Sequence, residues 1–251
     1  MVLPQTNLQL YQCLARGDAS AAELGQVRAA YDAAQTLFCD CVRPSHKPFL
    51  CHLVGTAGAL ALWQRDLPVV IAGLLHSAYL FGQFDDGDRG PSGRRRRWLR
   101  SIVGGDVENL VWRYSKMRWD QPIAGVRRLA LVDATYRDLV AVKFADEFEE
   151  LSDGSPKYSL KKSCVFGVGS GEQWDDRIMD ALALAVHDEA AEQFRFAWQR
   201  NLELDVPASL RTEDQFFHVV RTGVVPLRRN RIRQRVLKWS RKVRRSASWL
   251  K

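Results

Sequence analysis

Apolar residues recur along this chain at helical rather than strand spacing. Between Ala19 and Cys41 they fall at Leu24, Val27, Ala30, Tyr31, Ala34 and Leu37, in steps that keep them on one face of a helix. Asp18 or Ser20 caps that helix, and Glu23 stands three residues after Ser20 in the pattern of a capping box. A shorter helix, Asn7–Arg16, precedes it. Arg43–Pro48 holds two prolines and reads as a break. The helical period resumes over Phe49–Arg65, where Leu53, Thr56, Leu60 and Trp63 form a stripe. Asp66-Leu67-Pro68 is a helix start with proline in the first turn, and Val69–Phe81 after it is apolar nearly all round. An all-round apolar helix belongs in the interior, so this segment is expected to be the central one.

Beyond it the pattern loosens and then returns. Phe84–Gly93 is polar and Gly-rich and is expected to be a mobile loop. Arg94–Val103 and Asp106–Lys116 read as two short helices divided by Gly104-Gly105. Asp133–Ser152 is a helix with Leu139, Val142, Phe144, Ala145 and Phe148 on its apolar surface. Asp153–Ser170 reads as irregular, Trp174–Asn201 as one long helix, Thr212–Thr222 as a short one, and Pro226 precedes a basic segment. The expectation is an all-α protein. Residues 1–153 would form a helical domain with its core at 36–153, residues 154–226 a helical extension packed on it, and residues 227–251 a basic tail helix.

Composition agrees with a folded protein: 46% of the 251 residues are hydrophobic. Cys13, Cys39, Cys41, Cys51 and Cys164 are odd in number and lack the spacing of a zinc site, which points to reduced thiols in a cytoplasmic protein. The first residues lack a basic stretch leading into an apolar run, so no signal peptide is expected, and no window reaches the roughly 18 apolar residues of a membrane-spanning helix. Neither GxGxxG after a strand nor GxxxxGK[ST] occurs, which removes the usual phosphate-cradling loops. The net charge of +8 is local. Eleven Lys and Arg and no acid lie in Arg228–Lys251, so the remainder of the chain carries −3.

Candidate chemistry starts with His76. It is an imidazole inside an apolar segment, Ala72–Tyr79, where burial is costly without a partner. His52, near the start of the preceding helix, and Asp146, in the middle of Asp133–Ser152, are the natural partners. Imidazoles with a carboxylate suit a divalent transition metal such as Mn, Fe or Zn, and ligands projecting inward from separate helices are how helical bundles hold metals.

Four blocks carry a resemblance. Arg43-Pro44-Ser45 with Phe49-Leu50-Cys51-His52, Ala72-Gly73-Leu74-Leu75-His76, Ile102–Val111 (IVGGDVENLV) and Val142-Lys143-Phe144-Ala145-Asp146 together resemble the HD-domain superfamily, and within it the hydrolase domain of RelA/SpoT-type alarmone enzymes. His76 follows His52 by 24 residues and Asp146 follows His76 by 70, which also fits. The resemblance spans about Thr36–Asp153. It implies an all-helical, metal-dependent phosphohydrolase acting on a nucleotide or another small phosphate ester. His52, His76 and Asp146 would be the ligands, and Arg43 and Lys47 would lie where base and phosphate are contacted. A water activated by the metal would attack the ester.

The chain departs from that family at two places. Ser77 stands where the paired motif has aspartate, in the substrate-facing position beside His76. Leu80-Phe81 replace the acidic pair that follows. The nearby acids are Asp85, Asp86 and Asp88 in the loop, and Glu147, beside Asp146, is another that would compensate in catalytic proton transfer. These departures leave a second expectation open: a degenerate HD fold that binds a ligand or partner without turnover. The synthetase domain of the alarmone enzymes has no counterpart in Gly154–Lys251.

His187-Asp188 is a second His-Asp pair without matching blocks and reads as a decoy, a structural or surface feature. In the tail, Ile232, Val236, Trp239, Val243 and Leu250 fall near one helical face, while Arg229, Arg233, Arg241, Lys242 and Arg244 crowd the rest. A basic amphipathic helix carrying Trp suits peripheral contact with an anionic membrane. Nucleic acid and an acidic patch of the protein's own domain are the rival partners.

Overall fold

The computed structural model describes residues 2–119, 128, 130–131, 133–158, 164–165, 168–169, 176–211 and 218–219. The fold is all-α. Its helices are α1 (Asn7–Arg16), α2 (Ala21–Phe38), α3 (Phe49–Leu62), α4 (Leu67–Leu75), α5 (Ala78–Phe81), α6 (Gly93–Tyr114), α7 (Ala134–Ser152), α8 (Ser155–Tyr158), α9 (Asp176–Ala185) and α10 (Asp188–Glu203). Strands are confined to two-residue pairs among the described residues: β1 (Cys41–Val42), β2 (Cys164–Val165), β3 (Val168–Gly169) and β4 (His218–Val219).

Local chemistry sets the ends of these helices. The Ser20–Glu23 capping box forms as expected, and a second one, Thr6 with Gln9, opens α1. Asp133 caps α7 by accepting from the Tyr136 N–H at 3.1 Å. Helices α3 and α4 are buried nearly all round and pack on each other, and α7 packs against α3 on another side. One apolar cluster runs through all of them and continues into α9 and α10, where Phe194 meets Phe144, Phe148 and Trp198.

Several expectations need correction. The central helix is not continuous to Phe81. It ends at Leu75, with His76 as its C-cap, and a short α5 restarts at Ala78. The long C-terminal helix is two helices broken at Val186-His187. His187 caps the second of them, its Nδ1 accepting from the Ala190 N–H at 3.1 Å, so the decoy His-Asp pair has a local structural role. Where a helix was expected over 212–222, His218–Val219 form a strand antiparallel to Cys41–Val42. The split at the glycine pair is as expected: Gly104, at φ 84°, is non-helical and kinks α6 into two halves, a conformation that only glycine reaches without strain.

The loop before α6 is tied down. Arg95, 6% exposed, donates from Nε to both carboxylate oxygens of Asp86 and from Nη1 to the carbonyls of Arg89 and Gly90, at 2.6–3.1 Å. Of the four consecutive arginines at 94–97, only Arg94 and Arg97 are exposed. Among the described residues no helix is long and apolar enough to cross a membrane. Arg229, Arg233, Trp239, Arg241 and Lys242 of the expected tail helix lie outside the described residues.

Candidate metal centre

Three helix segments converge on one point. The first turn of α3 supplies His52, the C-cap of α4 supplies His76, and the middle of α7 supplies Asp146. His52 Nε2 lies 3.1 Å from Asp146 Oδ1, and His76 Nε2 lies 3.6 Å from the same oxygen. One ligand atom from each residue falls within 4.8 Å of the other two. An ion about 2.1 Å from each atom of a 90–110° ligand set would separate them by about 3.0–3.4 Å, close to the two separations that involve Asp146. His52 is 0% and His76 2% exposed, and the Asp146 side chain keeps 13%.

The far side of each imidazole is spoken for. His76 Nδ1 lies 2.8 Å from the Gly73 carbonyl oxygen. A carbonyl can only accept, so Nδ1 carries the proton and Nε2 presents a lone pair to the centre. His52 Nδ1 lies 2.6 Å from Glu149 Oε2, which favours a proton on Nδ1 when the carboxylate is ionised. His52 Nε2 is buried and, despite its closeness to Asp146, makes no hydrogen bond among the described residues. Burial is the largest influence on His76 and lowers its pKa below the ordinary imidazole value, against the raising effect of Asp146. The two Nε2 atoms and a carboxylate oxygen thus face one another. That donor set fits a cation.

Asp146 is held as an anion. Burial works against its charge, but the Lys143 ammonium and the two histidines outweigh it and hold the carboxyl well below its usual range. Its Oδ2 accepts from Tyr114 OH and from Lys143 Nζ, each at 3.1 Å, which leaves Oδ1 turned to the histidines. Lys143 is buried and also pairs with Glu147. Desolvation lowers the Lys143 pKa, but Glu147 and Asp146 overcome it and the net shift is upward. Tyr114 is pushed up, first by burial and then by Asp146.

The other expected site residues are placed as follows. Ser77 is 2% exposed, in the break directly after His76. Glu147 is engaged by Lys143 rather than joining the converging trio. Arg43 is paired with Glu150, its guanidinium 5.5 Å from the Phe49 ring centroid. Lys47 is paired with Glu149 and with Asp153 at 2.7 Å. Neither basic side chain stands open for a phosphate in this arrangement.

Sequence reasoning missed Tyr114, Lys143 and Glu149 as companions of the centre. Lys143 and Glu149 stand three residues either side of Asp146, on the same helix face, and that spacing is the signal that could have found them. Tyr114 gave no such signal, because it arrives from another helix.

A family model described as a domain of unknown function, DUF6817, matches residues 37–118, about a third of the chain, taking in both histidines but not Asp146. No curated protein matches this chain.

Proposed function

We propose that the protein is a divalent-metal-dependent phosphohydrolase of the HD type, acting on a nucleotide or another small phosphate ester. One observation carries the metal part: the Nε2 atoms of His52 and His76 lie 3.1 and 3.6 Å from Asp146 Oδ1, and one ligand atom of each residue falls within 4.8 Å of the others. The resemblance of the four sequence blocks supports the reaction. His52, His76 and Asp146 would hold Mn, Fe or Zn. The metal would supply Lewis acidity, which makes water a nucleophile near neutral pH. Tyr114 and Lys143 orient Asp146 through Oδ2, and Glu147 would act as the proton acceptor only after giving up its bond to Lys143. Arg43 meets the phosphate once Glu150 releases it.

A second reading is favoured by the same ion pairs. With Arg43 and Lys47 neutralised by carboxylates and a serine at position 77, the domain would bind a ligand or partner without turnover. In either case we propose that the basic tail draws the protein to an anionic membrane surface.

Metal analysis of protein purified without chelators tests the centre, followed by hydrolysis assays with p-nitrophenyl phosphate and nucleoside phosphates in added Mn²⁺. One metal per chain, lost in His52→Ala, His76→Ala and Asp146→Ala, is expected together with turnover. Metal without turnover supports the binding module. Metal absent from both native and Mn²⁺-loaded protein rejects the proposal.

A further inference from the structure

Glu149 lies almost a full turn beyond Asp146 on α7, with its side chain 1% exposed. A carboxylate buried to that degree needs partners of opposite charge or good donors. It has two. One oxygen faces His52 Nδ1 at 2.6 Å, and the other is held by the Lys47 ammonium, which itself reaches Asp153 at 2.7 Å. The imidazole ring separates Glu149 from the centre, so Glu149 is not itself a ligand. Its effect passes through the ring, by deciding which nitrogen carries the proton.

A second, independent feature serves the same contact. Gly55 stands three residues after His52 on α3, opposite Glu149. A Cβ at this position would lie 2.5 Å from Glu149 Cγ and 2.9 Å from Oε1. Glycine is what lets the carboxylate approach closely enough to reach His52. Lys47 sits in the turn before α3, where its carbonyl accepts from the Arg43 N–H at 2.9 Å, so its backbone is fixed as well.

We infer that Glu149 is a positioning residue that sets the tautomer and orientation of His52 for metal binding, and that Lys47 secures Glu149 rather than meeting substrate. This rests on the metal-centre reading. Carboxylates behind metal-binding histidines raise the basicity of the ligand nitrogen, and their loss typically costs roughly 10- to 100-fold in metal affinity.

The test has two arms. In the first, Mn²⁺ and Zn²⁺ affinities are measured by chelator competition on the full chain. Glu149→Leu, which removes the acceptor at similar size, should bind roughly 10- to 100-fold more weakly than wild type. Glu149→Gln, which keeps an acceptor, should recover part of the loss. Gly55→Ala, which displaces the carboxylate without altering its charge, should also weaken binding. So should Lys47→Met, an effect that a merely phosphate-binding lysine would not produce. In the second arm, ¹⁵N NMR of labelled histidine reads the His52 tautomer without metal. Wild type should show the proton on Nδ1, and Glu149→Leu should lose that preference. Wild-type affinity in Glu149→Leu overturns the inference, as does a wild-type His52 protonated on Nε2. If the wild type binds neither metal, the metal-centre reading fails, and the tautomer arm still decides the role of Glu149. If Glu149→Leu does not fold, Gly55→Ala and the wild-type tautomer decide it.

Discussion

Glu108 offers the sharpest test of how the centre is held in place. Its carboxylate is 0% exposed, in the second half of the kinked α6. It accepts from Tyr79 OH at 2.8 Å, from Arg96 Nε and Nη2 at 2.6 and 2.9 Å, and from Arg100 Nη2 at 2.7 Å. Both arginines belong to the first half of α6 and Tyr79 to α5, so Glu108 ties the two halves of the kink to the segment just after His76. Glu108→Ala leaves the buried Tyr79 hydroxyl without its acceptor, a loss of about 1–3 kcal/mol. Breaking a fully buried pair would cost about 3–5 kcal/mol. The Arg96 and Arg100 side chains are 27% and 52% exposed, however, and can turn to water, which moves the expected total down to about 2–4 kcal/mol. The pH dependence has a definite sign. Desolvation raises the Glu108 pKa, but the bonds from Arg96, Arg100 and Tyr79 outweigh it and the net shift is downward. The contribution is therefore full above the unfolded glutamate value of about 4.3 and is lost as pH falls through the lower folded value. Urea denaturation of wild type and Glu108→Ala at pH 7 and in steps below pH 4.5 measures both effects. A destabilisation under about 0.5 kcal/mol at pH 7, the size of an ordinary surface substitution, would refute this account. So would a gap that widens on acidification.

Three further outcomes are expected. Ser77→Asp should raise affinity for Mn²⁺ or Zn²⁺ and increase phosphate-ester hydrolysis, and isothermal titration showing unchanged affinity would count against position 77 facing the metal. His187→Ala should cost about 0.5–2 kcal/mol by thermal unfolding, as a lost helix cap does, while His187→Asn should be nearly neutral; an effect on bound metal instead would make His187 part of a site. Removing Arg228–Lys251 should leave the melting temperature almost unchanged and sharply reduce sedimentation with anionic vesicles, since each basic residue near such a surface is worth on the order of 1 kcal/mol. A salt-resistant remainder marks the membrane, complete loss in salt marks nucleic acid, and equal sedimentation of both chains excludes the membrane.

Helix positions were legible because burial imposes its period directly on residues such as Val27, Ala30, Ala34 and Leu37, all inside the core. Helix breaks were less legible, because they depend on single residues acting locally. Nothing in the run Leu74-Leu75-His76-Ser77-Ala78 contains glycine or proline, yet α4 stops there. The break at Val186-His187 is similar, with an imidazole doing the capping usually given to Ser, Thr, Asp or Asn. The three converging residues could be named from the sequence blocks, because each sits in a distinct motif. Their partners could not, since Tyr114 and Lys47 become neighbours of Asp146 and Glu149 only through the packing of α6 and of the β1–α3 turn on α7.

Charge around the centre favours a cation even with a serine at position 77. Asp146, Glu147, Glu149 and Asp153 form a chain of carboxylates along one end of α7, and Lys143 and Lys47 are interleaved with them. Arg43 and Glu150 cancel each other nearby. Four carboxylates against two ammonium groups leave two negative charges, one on the mostly buried Asp146 and one on the solvent-exposed Asp153. Uncompensated charge at low dielectric is expensive, so the cluster is better balanced with a cation between His52, His76 and Asp146 than without one. An aspartate at position 77 would add a third negative charge. It would bind metal more tightly for that reason, and for the same reason it would burden the metal-free protein, whose stability in chelator should fall below that of the wild type.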